Sequence, residues 1–228
     1  AYDYASFLLF SNPQAEERCI RLGLMKNRSK GIVIGHATDT KCFRPMKIKP
    51  QKRNILLSVG GLYKIKGHHL IIKALEKIVA KGYDAELWIV GEGYYRKRLV
   101  NIAEKLGIKD KVKFLGKKSH DELAKIYNKA DIFVLANYQE ITPAANEAMA
   151  CEKPVVVMEC GGRSFAIPDE RYGLVSKRLD ISDMADKILF LIKNKNAARK
   201  IAANGRKHVS QRFSIERVAE KLYKAYAE

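Results

Sequence analysis

From Asn54 to Met158 the chain alternates short apolar runs with stretches of helical periodicity, and this alternation constrains the fold more than any other feature. Asn54–Val59 (NILLSV), Ala85–Val90 (AELWIV) and residues 111–115, 131–136 (DIFVLA) and 154–158 (PVVVM) read as strands. Between them Leu70, Ile71, Ala74, Leu75 and Ile78 recur at helical spacing, as do Leu99, Ile102, Ala103 and Leu106 before Gly107. Residues 123–127 and 144–150 supply two more helical segments. Strands apolar on both faces, alternating with helices, predict a parallel sheet covered on each side. Right-handed crossovers then give a doubly wound α/β sandwich.

Upstream, residues 6–11 (SFLLFS) read as a short strand, a helix follows from Pro13 to about Leu22, and 31–34 (GIVI) gives a second strand. Phe43-Arg44-Pro45 opens a polar, basic connector to Arg53, where Pro45 and Pro50 argue against regular structure. After Gly173-Leu174-Val175 the pattern turns wholly helical over 180–193, 197–213 and 214–226, with Ser214 as the N-cap of the last segment. These boundaries predict residues 1–44 as the end of a preceding domain or an inter-domain segment and 45–53 as a linker. Residues 54–212 form the sheet domain and 213–228 a C-terminal helix. The chain opens on Ala1 in mid-pattern, which predicts a piece excised from a longer protein.

An apolar fraction of 47% in 228 residues excludes wholesale disorder. No run approaches the ~18 apolar residues of a membrane span, and no charged-then-apolar leader opens the sequence. Cys19, Cys42, Cys151 and Cys160 are widely spaced with no C-x-x-C pair, so they are expected to be buried reduced thiols of a cytosolic protein. His68 and His69 are adjacent and cannot both face one ion from a helix, so no metal site is expected. The formal charge of +18 calls for an anionic partner: nucleic acid, lipid or a phosphorylated small molecule.

Ligands of an open α/β sheet bind at the carboxyl ends of the strands, near helix N-termini. Four loops lie on that edge. The first, Gly60-Gly61-Leu62-Tyr63-Lys64-Ile65-Lys66-Gly67, puts Lys66 just before a helix; taken alone such a sequence is more often a turn than a phosphate cradle, and it is not a G-x-x-x-x-G-K-[S/T] phosphate loop. The second, Gly91-Glu92-Gly93, suits either a tight turn or a ligand. The third is Gly116-Lys117-Lys118. The fourth, Asn137 to Pro143, leads into a helix with Thr142 as its cap and Pro143 in its first turn, leaving free amides at the helix start. Glu147 lies one turn further in, where a carboxylate would also complement the helix dipole, worth ~0.3–1 kcal/mol.

In this order the loops resemble the C-terminal half of a family-4 glycosyltransferase of the GT-B fold. The likeness runs from the strand before Ser11 through Phe43-Arg44-Pro45, the Gly60 loop, VGEG (90–93), FLG (114–116) and AD-F-VLA (130–136). It continues through EAMAC-KPVVV (147–157) and Gly161-Gly162 to Phe213-Ser214 and Glu216. The resemblance implies a Rossmann-like half of a GT-B fold that binds a UDP- or GDP-linked sugar, for transfer to an acceptor with retention at the anomeric carbon and without a metal. It implies that Lys66 grips the diphosphate, that Glu147 accepts hydrogen bonds from the ribose, and that Lys117 lies by the base. Gly60, Gly61, Gly91, Gly93 and the Ile141–Thr142–Pro143–Ala144 stretch would contact the donor. An acceptor-binding N-terminal half would lie outside this chain.

The sequence departs from the family pattern twice. A Gly-Arg-Leu sequence is usual in the first loop, its Arg being a second diphosphate ligand; Gly61 stands there, and Lys64 or another cation would have to compensate. The E-x7-E pair counted back from Glu147 lands on Gln139, whereas Glu140 is one residue off register. Glu140 is assigned the sugar-contacting, catalytic role beside Lys66, with Gln139 as the alternative. These departures motivate a second reading, a non-catalytic GT-B domain binding anionic lipid or polymer. Residues 187–207 and 216–224 form basic, amphipathic stretches suited to a peripheral membrane contact at the inner face. No aromatic residues interleave with a basic strand face, so nucleic acid is not an expected partner. A third reading is an epimerase on the same sheet.

Overall fold

The computed structural model describes residues 6–25, 30–48 and 52–227. Pro50 of the expected connector lies outside them. The chain begins with β1 (Leu8–Phe10), α1 (Pro13–Arg21) and β2 (Gly31–Val33); β1 and β2 pair in parallel as a two-stranded sheet of their own. Asn12 caps α1 by accepting the Ala15 amide on Oδ1 at 2.9 Å. The main body follows: β3 (Asn54–Val59), α2 (His68–Ala80), β4 (Ala85–Val90), α3 (Arg96–Lys105), β5 (Val112–Gly116), α4 (His120–Lys129), β6 (Ile132–Leu135), α5 (Pro143–Ala150) and β7 (Val155–Met158). It closes with α6 (Arg163–Ala166), β8 (Leu174–Ser176), α7 (Ile181–Lys193), α8 (Lys195–Arg212) and α9 (Ile215–Ala227).

The six strands from β3 onward form one all-parallel sheet in the order β5-β4-β3-β6-β7-β8. The chain lays down β3, moves outward through β4 and β5, then returns to the other side of β3 for β6, β7 and β8. The direction of winding reverses between β3 and β6. Alternate side chains separate the two faces, as the two-residue period of a strand requires. Leu56, Leu87, Ile89, Val134 and Val156 pack with α2, α3 and α7 on one face. Ile55, Leu57, Phe133, Leu135 and Val157 pack with α4 and α5 on the other. Leu56, Leu57, Leu87 and Phe133 are fully buried, each worth roughly 1.5–3 kcal/mol of burial.

Several boundaries differ from the sequence expectation. Helix α4 starts at His120, not Leu123, because Ser119 and Glu122 form a capping box: the Ser119 amide donates to Glu122 Oε2 at 3.0 Å while the Glu122 amide donates to Ser119 Oγ. Strand β8 and helix α6, at three and four residues, are too short for a periodic signal and were not anticipated. Ser214 does cap α9, accepting the Arg217 amide on Oγ at 3.3 Å. The described residues between β2 and β3 form no regular element but are firmly seated. Phe43 is buried against Tyr127 and His120, and Asn128 accepts the Met46 amide at 2.7 Å while donating to the Arg44 carbonyl at 2.9 Å. All four cysteines are free thiols, yet only Cys151 and Cys160 are buried; Cys19 and Cys42 are half-exposed, which corrects the expectation of four buried thiols. Among the described residues no helix is long and apolar enough to cross a membrane.

Candidate functional site

Because every strand of the main sheet is parallel, the loops after β3, β4, β5 and β6 all emerge at one edge. The loops after β3 and β6 flank the reversal, the place where an open α/β sheet leaves a crevice. The β3 loop ends in a single 3-10 turn, Lys64–Lys66, and Gly67 then caps α2. Gly67 has a φ of 70°, and a Cβ there would lie 2.0 Å from the Ala136 carbonyl oxygen, so no other residue fits without moving β6. The Tyr138 amide donates to the Ile65 carbonyl at 3.0 Å. These two contacts fasten the Lys66 turn to the end of β6.

Lys66 is half-buried and its stem folds back toward Gly60: a Cβ on Gly60 would lie 4.0 Å from Lys66 Cδ. His68, which the sequence reading used only to argue against a metal, is buried beside the same loop. Its Nδ1 lies 3.1 Å from Ser58 Oγ, and its Nε2 faces Gly60 without a geometric hydrogen-bond partner. Burial lowers its pKa to about 4, so the imidazole beside Lys66 is neutral at physiological pH.

The glycines of the second loop face the first. A Cβ at Gly91 would lie 2.0 Å from the Gly60 carbonyl oxygen, and one at Gly93 2.5 Å from that of Leu62, while the Leu62 amide donates to the Glu92 carbonyl at 2.8 Å. Gly91 and Gly93 therefore let two loops of the edge pack backbone to backbone. At Gly61 the space beside the Cα is filled by Tyr63, whose Cε2 would be 2.5 Å from an added Cβ; Tyr63 in turn packs on Tyr94 with ring centroids 5.4 Å apart. Lys117 is exposed just beyond β5, its amide 3.5 Å from Glu92 Oε1.

The fourth loop is stitched to the loop after β7. Glu140 bridges Gly161: the Gly161 amide donates to the Gln139 carbonyl and the Ile141 amide to the Gly161 carbonyl, both at 2.9 Å. Ile141 is thus buried with its amide already used, so it cannot offer that N–H to a ligand. Thr142 occupies the N-cap position of α5 but makes no side-chain cap bond, a correction to its expected role; its buried Oγ1 has no partner. Pro143 has no amide to give, and among the described residues the amides of Thr142 and Ala144 are unbonded. The start of α5 therefore leaves two N–H groups unpaired at the crevice, while the Thr142 hydroxyl is buried beneath it.

Glu147 stands one turn into α5 on the face opposite α2. Tyr127, fully buried on α4, donates its hydroxyl to Glu147 Oε2 at 2.8 Å, and Phe43 packs edge-on against the Tyr127 ring. Glu147 Oε1 has no protein partner among the described residues. Burial raises the Glu147 pKa, partly opposed by the Tyr127 hydrogen bond and by His120. Lys66, in the turn after β3, and Glu147, in the helix after β6, thus belong to the connections that follow neighbouring strands on either side of the reversal.

Glu140 and Gln139 are exposed at the mouth, and Glu140 Oε2 lies 3.4 Å from Asn12 Nδ2. They line a cleft of about 450 Å³ whose far wall is α1, with Arg18 and Arg21; Lys66 and Glu147 are not in its lining. His36, which no sequence signal picked out, lies close enough to Glu140 to feel its charge, though burial dominates and lowers the imidazole pKa.

A single parallel sheet in this order, wound outward to both sides of β3, is a doubly wound α/β domain of the Rossmann-like kind. The chain belongs to the glycosyl transferases group 1 family, whose model matches residues 39–208. It is 31% identical to an uncharacterized glycosyltransferase of Methanocaldococcus jannaschii over 176 residues, covering 77% of this chain and 48% of that protein. Among solved structures, sucrose-phosphate synthase from Thermosynechococcus elongatus superposes with a TM-score of 0.86 at 28% identity, over 96% of this chain and 57% of that one. Anabaena HepE, solved in complex with UDP-glucose, superposes with a TM-score of 0.89 at 21% identity, over 100% and 65%. The fold is the Rossmann-like half of a GT-B glycosyltransferase. The chain spans about half the length of the curated relatives it matches.

Proposed function

We propose that this chain is the donor-binding part of a retaining, metal-independent glycosyltransferase that uses a UDP- or GDP-linked sugar. The reading is carried by one observation: Lys66 and Glu147 flank the reversal point of the sheet, joined there by the unbonded amides of Thr142 and Ala144. Lys66 and these amides neutralise the diphosphate, the group on which negative charge builds as it departs. Glu147, with Oε2 fixed by Tyr127, offers Oε1 to the ribose hydroxyls. Lys117 lies beside the base, Gly60 and Gly61 let the chain approach the phosphates, and Gly91 and Gly93 hold that loop in place. The HepE complex with UDP-glucose, on the same fold, agrees with a nucleotide-sugar donor.

In the transfer the bond from the anomeric carbon to the diphosphate oxygen breaks and a bond to the acceptor oxygen forms on the same face. The acceptor proton passes to the departing phosphate oxygen. Glu140 supports the positive charge at the anomeric carbon, or Gln139 hydrogen-bonds the sugar in that slot. The acceptor half lies in sequence outside this chain, and the proposed location is the cytoplasm. The test is transfer by the complete protein in EDTA, with the product's anomeric configuration read by proton NMR. Retained configuration and undiminished turnover support the reading; inversion or a requirement for a divalent ion contradicts it.

A peripheral contact with anionic lipid is the second reading, favoured by α9, where Ile215, Tyr223 and Tyr226 are exposed on a helix that also carries Arg217, Lys221 and Lys224. Co-sedimentation with vesicles that depends on their anionic lipid content supports it, and no sedimentation at low salt overturns it.

A further inference from the structure

We infer that Asn12 is a positioning residue for the transfer: its side-chain amide, at the start of α1, holds the Glu140 carboxylate at the mouth of the crevice. This rests on the donor reading above, with the sugar-contacting role given there to Glu140, and names the group that aims that carboxylate.

Asn12 is only 3% exposed, and both ends of its amide are engaged. Oδ1 accepts the Ala15 amide at 2.9 Å to cap α1, which leaves Nδ2, the donor end, on the other side. Nδ2 donates to Ser11 Oγ at 3.1 Å and to Glu140 Oε2 at 3.4 Å. The cap therefore fixes which end of the amide meets Glu140, and it is the end that suits a carboxylate. The loop after β7 is shaped around the same group. Gly162 has a φ of 72°, and a Cβ there would lie 2.8 Å from Asn12 Nδ2 and 2.9 Å from Asn12 Cγ.

The backbone of Glu140 is tied down on two sides, by its bridge to Gly161 and by Asn137 Nδ2, which donates to the Glu140 carbonyl at 2.8 Å. Its side chain is exposed, and among the described residues its one hydrogen bond comes from Asn12. A fixed backbone does not fix the torsions of a long exposed side chain, so the aim of the carboxylate depends on that contact. Oε1 has no protein partner among the described residues and is left for the sugar. Gln139 differs: Gly161 uses its carbonyl, but among the described residues its side chain has no partner. Of the two candidates for the slot, only Glu140 is oriented. A carboxylate stabilises developing positive charge only if it is already placed where that charge forms. Asn12 supplies the placement from the β1-α1-β2 unit, whose seat on the loop after β7 is also marked by Gln14 Nε2 at 3.3 Å from Ser164 Oγ.

The test is calorimetric titration of the chain with UDP, UDP-glucose, GDP and GDP-mannose, for the wild type, N12S, N12D, E140Q and N12D/E140Q. The quantity read is the ratio of the nucleotide Kd to the nucleotide-sugar Kd, which isolates the sugar contact from the rest of the donor site. Serine and aspartate both keep a cap for α1; serine removes the amide donor, and aspartate sets a second carboxylate against Glu140. Melting curves confirm that the variants are folded. The expected result is a ratio lowered at least threefold in N12S and at least fivefold in N12D, with nucleotide affinity within twofold of wild type throughout. In the E140Q background N12D changes the ratio less than twofold, because the aspartate can accept from the glutamine amide. An unchanged ratio in N12S and N12D, an equal fall from N12D in both backgrounds, or a loss of nucleotide affinity as large as the loss of nucleotide-sugar affinity overturns the inference. Absence of UDP and GDP binding in the wild type instead refutes the donor reading, and an unaltered ratio in E140Q refutes the role given to Glu140; either takes the inference down with it.

Discussion

Tyr127→Phe removes one oxygen from the interior and changes little in volume, yet it should leave a pH signature. The substitution removes the 2.8 Å hydrogen bond to Glu147, a half-buried carboxylate whose pKa burial already raises above its ordinary value. It also removes a longer 3.1 Å approach to the Ala144 carbonyl, which carries no charge and is lost equally at every pH. A hydrogen bond to a charged group contributes ~1.5–3 kcal/mol and one between neutral groups ~0.5–1.5 kcal/mol. Glu147 keeps some access to water, so the low end of the charged range applies, about 1.5 kcal/mol. The folded chain holds the Glu147 proton to higher pH than the unfolded chain, so this group's contribution to stability falls as pH rises above 4.5 and levels off past its folded-state pKa. Without the Tyr127 hydroxyl that pKa rises further and the fall steepens. Urea unfolding of both proteins at pH 4.5 and pH 8 should show the variant destabilised by about 1 kcal/mol more at pH 8. Comparing the two proteins cancels the histidines, which are the same in both. An equal loss at both pH values, or a larger loss at pH 4.5, would mean that Tyr127 does not hold a charged Glu147.

Gly67→Ala places a methyl group 2.0 Å from the Ala136 carbonyl oxygen, just beyond β6, at a left-handed φ where a side chain alone costs ~1–2 kcal/mol; urea unfolding should show a loss beyond that range. No loss would show that the Lys66 turn is not clamped to β6. Gly61→Arg restores the family cation but needs Tyr63 to move, so Gly61→Arg alone should gain little nucleotide affinity and Gly61→Arg with Tyr63→Ala severalfold; equal gains would show that Tyr63 is no obstacle. Cys151 and Cys160 are buried with pKa values pushed up to about 12, chiefly by burial, so a thiol reagent at pH 8 should label only Cys19 and Cys42 before unfolding. Mass spectrometry of the native protein decides it, and rapid label on Cys151 counts against the packing.

The sheet was legible because its strands are buried on both faces, and NILLSV and AELWIV became β3 and β4 with unchanged limits. The chain order told nothing of strand order; that emerged only from pairing β3 with both β4 and β6. Strand β8 was missed because three residues cannot show a period. Ser119-x-x-Glu122 carries the capping-box pattern that starts α4 at His120, a turn ahead of the apolar periodicity that begins at Leu123. At the site, one-dimensional reasoning found the loops but not what lies between them. Tyr127, His36 and the α1 arginines join the edge from elements distant in sequence, and a backbone contact such as Gly67 against Ala136 leaves no mark beyond a glycine. Thr142 shows the opposite failure: its residue type fits a cap, but its hydroxyl makes no cap bond.

The most direct trial of the account is titration of the chain with UDP- and GDP-linked sugars in EDTA, for the wild type, Lys66→Ala and Glu147→Gln. Micromolar to millimolar binding of one nucleotide class, weakened at least tenfold by each substitution, is the predicted result; each lost charged contact of ~1.5–3 kcal/mol corresponds to about that factor or more. Wild-type affinity in both variants, or no binding of any nucleotide sugar, would contradict it.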